Sequence, residues 1–378
     1  MISESIPVNP AIVRWARQRS GYSLEAASEH FRNIADWEAG ESLPTYPQLE
    51  RMADAFKTPI AVFFFPEPPQ LPPIEETFRT LDPSQFARIP PRIRLLLRKA
   101  QAFQLGLFEL NDGVNPSSRL ITRDLSFSPK KRATSIAAEI RNYLGISIEE
   151  QFGWSDPATA LEEWRNALLR VGVYVFKDQF REPEYSGFCL YDDQFPIIYV
   201  NNTTTKTRQI FTVFHELAHL LFHTSGVDTL TDSYLAQLSG DPRRIEVICN
   251  QVAAHVLVPE SLFDEEFSGK EANEESATQL ADVFGVSREL IFRKFLDRGL
   301  ISNEAYETAA KKWSKQVRRG KGGNHYNTKI SYLGKEYINL AFKKYYQNRI
   351  NFNQLADYLD TKPKNLIKLE EYISRRAP

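Results

Sequence analysis

The sequence predicts an α+β protein that is mostly helical. Three observations carry that expectation. Apolar residues recur at helical spacing through most of the 378 residues. Segments rich in β-formers are confined to one short region, residues 171–200. Directly after it comes FTVFHELAHLLFH, a helix apolar nearly all round, which ought to be buried.

Composition narrows the class. An apolar share of 42% and a charged share of 25% are those of a folded protein. A formal net charge of −1 excludes a bulk polyanion binder. The two cysteines, Cys189 and Cys249, exclude a disulfide framework and point to a reducing, cytoplasmic compartment. The first residues lack the apolar core of a signal peptide, and no stretch is long and apolar enough for a membrane span. Length argues for two or three domains.

Taken in order, residues 11–65 read as several short helices, one beginning at Ile12 and Val13 and the next marked by Leu24, Ala26, Ala27 and Phe31. PEPPQLPPIE at 66–75 reads as a stiff, extended linker. Ile93, Leu95, Leu96, Ala100, Phe103 and Leu107 predict a long amphipathic helix. Another should start after Ser128-Pro129 and end at Gly145. A third should be capped by Asp156, carry Pro157 in its first turn and end at Gly172. Strands follow at Val171 to Phe176 and within GFCLYDDQFPIIYVNN, with Asp192 and Asp193 as turn residues between two strands.

The buried helix carries the chemistry. His215 and His219 are four residues apart and share one helical face, so both imidazoles can reach one ion. In an H-E-x-x-H arrangement two histidines hold Zn²⁺, and the glutamate between them, here Glu216, is the general base. A catalytic zinc takes three protein ligands. Glu246, a lone carboxylate in RRIEVICNQVAAHVLVPE, is the candidate third, on a helix whose apolar side is Val247, Ala253, Ala254 and Leu257 and which Pro259 stops. Asn250 lies one turn on and can support a ligand by hydrogen bonding. Cys249 is a weaker ligand candidate, since a free cysteine is usually a small buried apolar group. His223 lies about 12 Å along the axis from His215, too far to share the ion. Tyr185 and His255 are candidate oxyanion donors. The strand beside this helix is where a peptide could add to the sheet.

Two resemblances follow from these residues. WEAGESLPTYPQLERMADAF resembles the Xre/Cro-type helix-turn-helix domain, although the turn and the start of its recognition helix are shortened to HFRNIADWE. That resemblance implies a DNA-docking module. The shortening and the lack of a basic stripe favour a protein-contact or dimerisation module instead. The block HELAHLLFH, followed by Glu246, Asn250, Ala253, Ala254, Leu257 and Pro259, resembles the ImmA/IrrE metallopeptidase family. By match, His215, His219 and Glu246 would be zinc ligands and Glu216 the base.

These readings divide the chain into a helix-turn-helix-like domain over 1–65, a proline-rich linker over 66–80, a minimal zincin peptidase domain over 81–305, and a basic helical region over 306–378. Residues 280–301 also look helix-turn-helix-like. The basic region offers Arg318, Arg319, Lys343, Lys344 and Arg349 as contacts for nucleic acid or an acidic partner. KGGN at 321–324 reads as a joint. The leading expectation is a zinc-dependent hydrolase of the cytoplasm that cleaves a regulatory or partner protein. The resemblance also implies an alternative: an antitoxin or transcriptional regulator whose zincin fold is a scaffold that neutralises a co-encoded toxin such as a PIN-like ribonuclease.

Overall fold

The structure, a computed structural model, describes residues 5–56, 58, 60–69, 89–223, 227–229, 240–314 and 324–375. Most of them are helical. The chain divides into two compact units, Met1–Lys99 and Ala100–Pro378. Most of the expected linker, together with Arg318, Arg319 and most of KGGN, lies outside the described residues.

The first unit contains α1 (Pro10–Arg19), α2 (Leu24–His30), α3 (Ile34–Ala39) and α4 (Tyr46–Ala55), followed by a 3₁₀ turn at Ile60–Phe64. Each boundary has a local cause. Asn9 and Ser23 accept backbone N–H groups at the starts of α1 and α2, and Thr45 with Gln48 forms a capping box at α4. Ile12, Val13, Ala16, Ile34, Trp37, Leu49, Met52 and Phe56 bury their side chains in one core. Arg17 is buried beside it and makes two bonds to the Glu38 carboxylate. Arg14 donates to the Glu38 carbonyl at 3.1 Å. Two of this unit's arginines therefore serve its own packing.

Helix α5 (Pro91–Leu110) runs through the division between the units. In the second unit α6 (Ile121–Asp124), α7 (Ala133–Leu144), α8 (Ile148–Gly153) and α9 (Pro157–Arg170) lead to the sheet. Helix α7 starts at Ala133, later than Ser128-Pro129 predicts. Ser128 is spent on a turn instead, accepting from Lys131 N at 2.9 Å through its carbonyl. Gly145 closes α7 in the left-handed conformation, as expected. Asp156 caps α9 by accepting from the Ala158 and Thr159 amides.

The sheet has four strands, β1 (Tyr174–Asp178), β2 (Tyr185–Leu190), β3 (Ile197–Asn201) and β4 (Val227–Thr229), in the order β1-β3-β2-β4. β1 and β3 are parallel; β2 is antiparallel to both β3 and β4. β1 begins at Tyr174 and not at Val171, because the chain first turns back through Gly172 at φ +86°. Asp192 accepts from the Gln194 and Phe195 amides, the turn role its sequence suggests.

Helix α10 (Lys206–Leu221) packs on β2 and β3, and α11 (Gly240–Leu257) packs on α10 and α7. The buried side of α11 is Ile248, Cys249, Val252, Ala253, Val256 and Leu257, while Val247, expected among them, is 40% exposed. The period of 3.6 residues rotates it off that face. Arg141 and Gln151 donate to the Val256 and Leu257 carbonyls and so close the end of α11 before Pro259.

The remaining helices are α12 (Glu260–Phe267), α13 (Glu274–Phe284), α14 (Arg288–Asp297), α15 (Asn303–Ser314), α16 (His325–Leu333), α17 (Lys335–Tyr346), α18 (Phe352–Tyr358) and α19 (Leu366–Ser374). The last five carry the described part of the basic region. Helix α16 covers β1, where Arg165 donates to Val175 O at 2.7 Å and to Ser331 O at 3.0 Å. That edge of the sheet is thereby closed by a side chain and a helix.

Candidate metal centre

Three side chains converge where α10 meets α11. His215 and His219 face one another with Nε2 atoms 3.1 Å apart. Glu246 comes from α11, with Oε2 3.3 Å from His215 Nε2 and Oε1 3.3 Å from His219 Nε2. A tetrahedral ion with bonds of about 2.0–2.1 Å sets its ligand atoms about 3.3–3.4 Å apart. The three observed separations suit such an ion, and two imidazoles with one carboxylate are a donor set that zinc accepts. Among the described residues this is the group of histidine, cysteine, aspartate or glutamate side chains placed to hold a metal.

The surroundings set the protonation states. His215 Nδ1 is 3.0 Å from Asn250 Oδ1. An Nδ1–H donated there leaves the Nε2 lone pair pointing at the centre. Burial pushes the Glu246 carboxyl up, but with the His219 and His215 imidazoles protonated their charges and hydrogen bonds outweigh it and hold the group well below the usual carboxylate range. His215, Glu216 and His219 are all buried, whereas the Glu246 side chain keeps 13% exposure.

Gly187 explains how the sheet comes so close. A Cβ there would lie 2.4 Å from Thr212 Cγ2, 3.0 Å from Tyr199 O and 3.5 Å from Glu216 Oε1. The backbone of β2 thus rests on the two turns of α10 that carry Thr212 and Glu216. Glycine inside GFCLYDD was visible in the sequence, and an isolated glycine in a strand pattern is a signal of close backbone approach. Which residue it approaches depended on register.

The other candidates sort by position. Cys249 is buried in the core and outside the ligand group. His223 lies beyond the end of α10 at φ +55°, its ring 4.9 Å from that of Tyr191. His255 is engaged elsewhere: Nδ1 is 2.9 Å from Glu260 Oε1 and 3.4 Å from Lys294 Nζ. Nine residues beyond Glu246, it is about 13 Å along the helix axis, so it is set aside as an oxyanion donor. Tyr185 begins β2, two residues before Gly187. The outer edge of β2, expected to be open to a peptide, is paired with β4. Of the basic candidates, Lys344 and Arg349 both bond to Asp112, and Lys343 is exposed. A cavity of about 380 Å³ lined by Glu162, Arg165, Tyr174 and Tyr337 lies against β1, two strands from β2, and belongs to a different part of the fold.

No curated protein matches the chain. A family match begins in α9 and ends in α14, so it takes in the sheet, both ligand-bearing helices and the residues that converge between them. Residues 169–295 match the family described as Peptidase_M78, IrrE N-terminal-like domain, which supports a place in the ImmA/IrrE metallopeptidase family for this part of the chain and implies a metal ion.

Proposed function

We propose that the second unit is a zinc-dependent endopeptidase that cuts a regulatory or partner protein. The observation that supports this is the convergence of His215, His219 and Glu246 at 3.1–3.3 Å beside the buried carboxylate of Glu216. A zinc ion held there would polarise a scissile carbonyl and make a water molecule acidic enough to act as nucleophile. The protein's own groups do the remainder. Glu216 takes the proton from that water and passes it to the leaving amine. Asn250 holds the His215 ring in orientation through Nδ1. Gly187 leaves clear the space between β2 and the Glu216 carboxylate that a Cβ would enter.

In this reading the first unit, with its Xre-like pattern, selects a protein partner or a second copy of the chain, not DNA. Its α3 has only six residues, and Arg14 and Arg17 are occupied by Glu38. Lys343, with Arg318 and Arg319, is the more suitable contact for an acidic partner or nucleic acid.

The experiment is cleavage of a co-encoded partner by the zinc-loaded chain. Glu216→Gln should abolish cleavage and leave the zinc content unchanged. Stable association of the partner without any cleavage by the native chain would replace this reading with that of a binding scaffold, such as an antitoxin.

A further inference from the structure

A peptide must lie beside Glu216 to be cut, and extended peptides are commonly held by adding a strand to a sheet edge. The strand that packs on the helix bearing Glu216 is β2, and a Cβ at its Gly187 would lie 3.5 Å from Glu216 Oε1. One edge of β2 is taken by β3, with Gly187 opposite Val200 and Phe188 opposite Tyr199. The other is taken by β4, with Gly187 opposite Asp228, Phe188 opposite Val227 and Tyr185 opposite Thr229. β1, at the far edge of the sheet, is separated from β2 by β3 and covered by Arg165 and α16. The strand position alongside Gly187 is therefore occupied by the chain itself.

We propose that β4 holds the place of the substrate strand, so that this conformation is latent and a peptide reaches Glu216 only by displacing residues 227–229. The inference rests on the peptidase reading and adds its regulation. β4 is built to be displaced. It has three residues, and its register with β2 shifts between Tyr185 and Gly187. A pairing so short and irregular is weak. In the chain β4 lies between α10 and α11, the helices that supply the three ligands.

The test uses the zinc-loaded full chain and two probes. Acetohydroxamate binds zinc and has no backbone to pair with a strand. A hydroxamate carrying an extended tetrapeptide needs the edge of β2 as well. Dissociation constants are measured by calorimetry for the native chain, for Asp228→Pro, and for the triple glycine variant of Val227, Asp228 and Thr229. Proline is excluded from paired strands, and three glycines weaken the strand without removing donors. A site open about a tenth of the time weakens a ligand about tenfold. Both variants should therefore bind the tetrapeptide hydroxamate about tenfold or more tightly than the native chain, with acetohydroxamate unchanged. Equal tetrapeptide affinity in all three, with acetohydroxamate bound, overturns the latent strand and leaves the metal centre standing. An equal gain for both probes also overturns it, since β4 would then act on the metal centre and not on the strand site. Failure of acetohydroxamate to bind any zinc-loaded chain removes the open metal site, and this proposal with it.

Discussion

Asn250 Oδ1 lies 3.0 Å from His215 Nδ1, joining two helices through residues thirty-five positions apart. The contact fixes both the ring and the tautomer of one metal ligand. Partners of this kind are worth about 10–100-fold in metal affinity. Asn250→Ala should weaken zinc binding by that factor in competition with a chelator, with little change in melting temperature of the metal-free chain. Equal affinity in the variant would mean that Asn250 supports packing and not the ligand.

Gly187→Ala should be destabilising although alanine suits a strand no worse than glycine. The added methyl meets Thr212 Cγ2 at 2.4 Å and Tyr199 O at 3.0 Å, and overpacking of this kind costs about 1–3 kcal/mol. Thr212→Ala removes the nearer obstacle, so the double variant should recover part of the loss. Denaturant titration of the four proteins measures this, and simple additivity of the two substitutions would count against direct contact.

Glu38→Ala leaves the buried guanidinium of Arg17 without its carboxylate. Removing one partner of a buried pair costs about 3–5 kcal/mol. The first unit should melt earlier, while the zinc content bound through His215, His219 and Glu246 stays the same. A melting temperature within a degree of the native one would show that the pair contributes nothing.

Lys177 supplies a dependence on pH. Burial, with the Arg165 charge beside it, brings its amine down to about 7 from 10.5, against the pull of Glu162 at 3.0 Å. Between those values the unfolded chain carries a proton that the folded chain lacks. Stability contributed by this group therefore rises with pH from about 7 upward and has no slope below. Melting temperature should climb between pH 7 and pH 9.5, and Lys177→Met should flatten the climb while being neutral or stabilising at pH 7. A slope unchanged by that substitution assigns the effect to another group.

Much of this molecule can be read along the chain, where the physics is local. The 3.6-residue period alone places His215 and His219 on one face, Asp156 and Gly145 mark helix ends, and Asp192 marks the turn between β2 and β3. The sequence also singles out Glu246 and Asn250, because a carboxylate and an amide one turn apart on an apolar helix need partners. Three things were decided only by the fold. The distances from Glu246 to the two imidazoles depend on how α11 packs on α10. That a side chain at position 187 would meet Thr212 and Glu216 depends on strand register. The closing of the β2 edge by residues 227–229 and the capture of Lys344 and Arg349 by Asp112 join residues far apart in the chain, and the capture of His255 by Glu260 depends on the turn at Pro259 between two successive helices. Periodicity states which way a side chain faces; only the assembled packing states what it meets there.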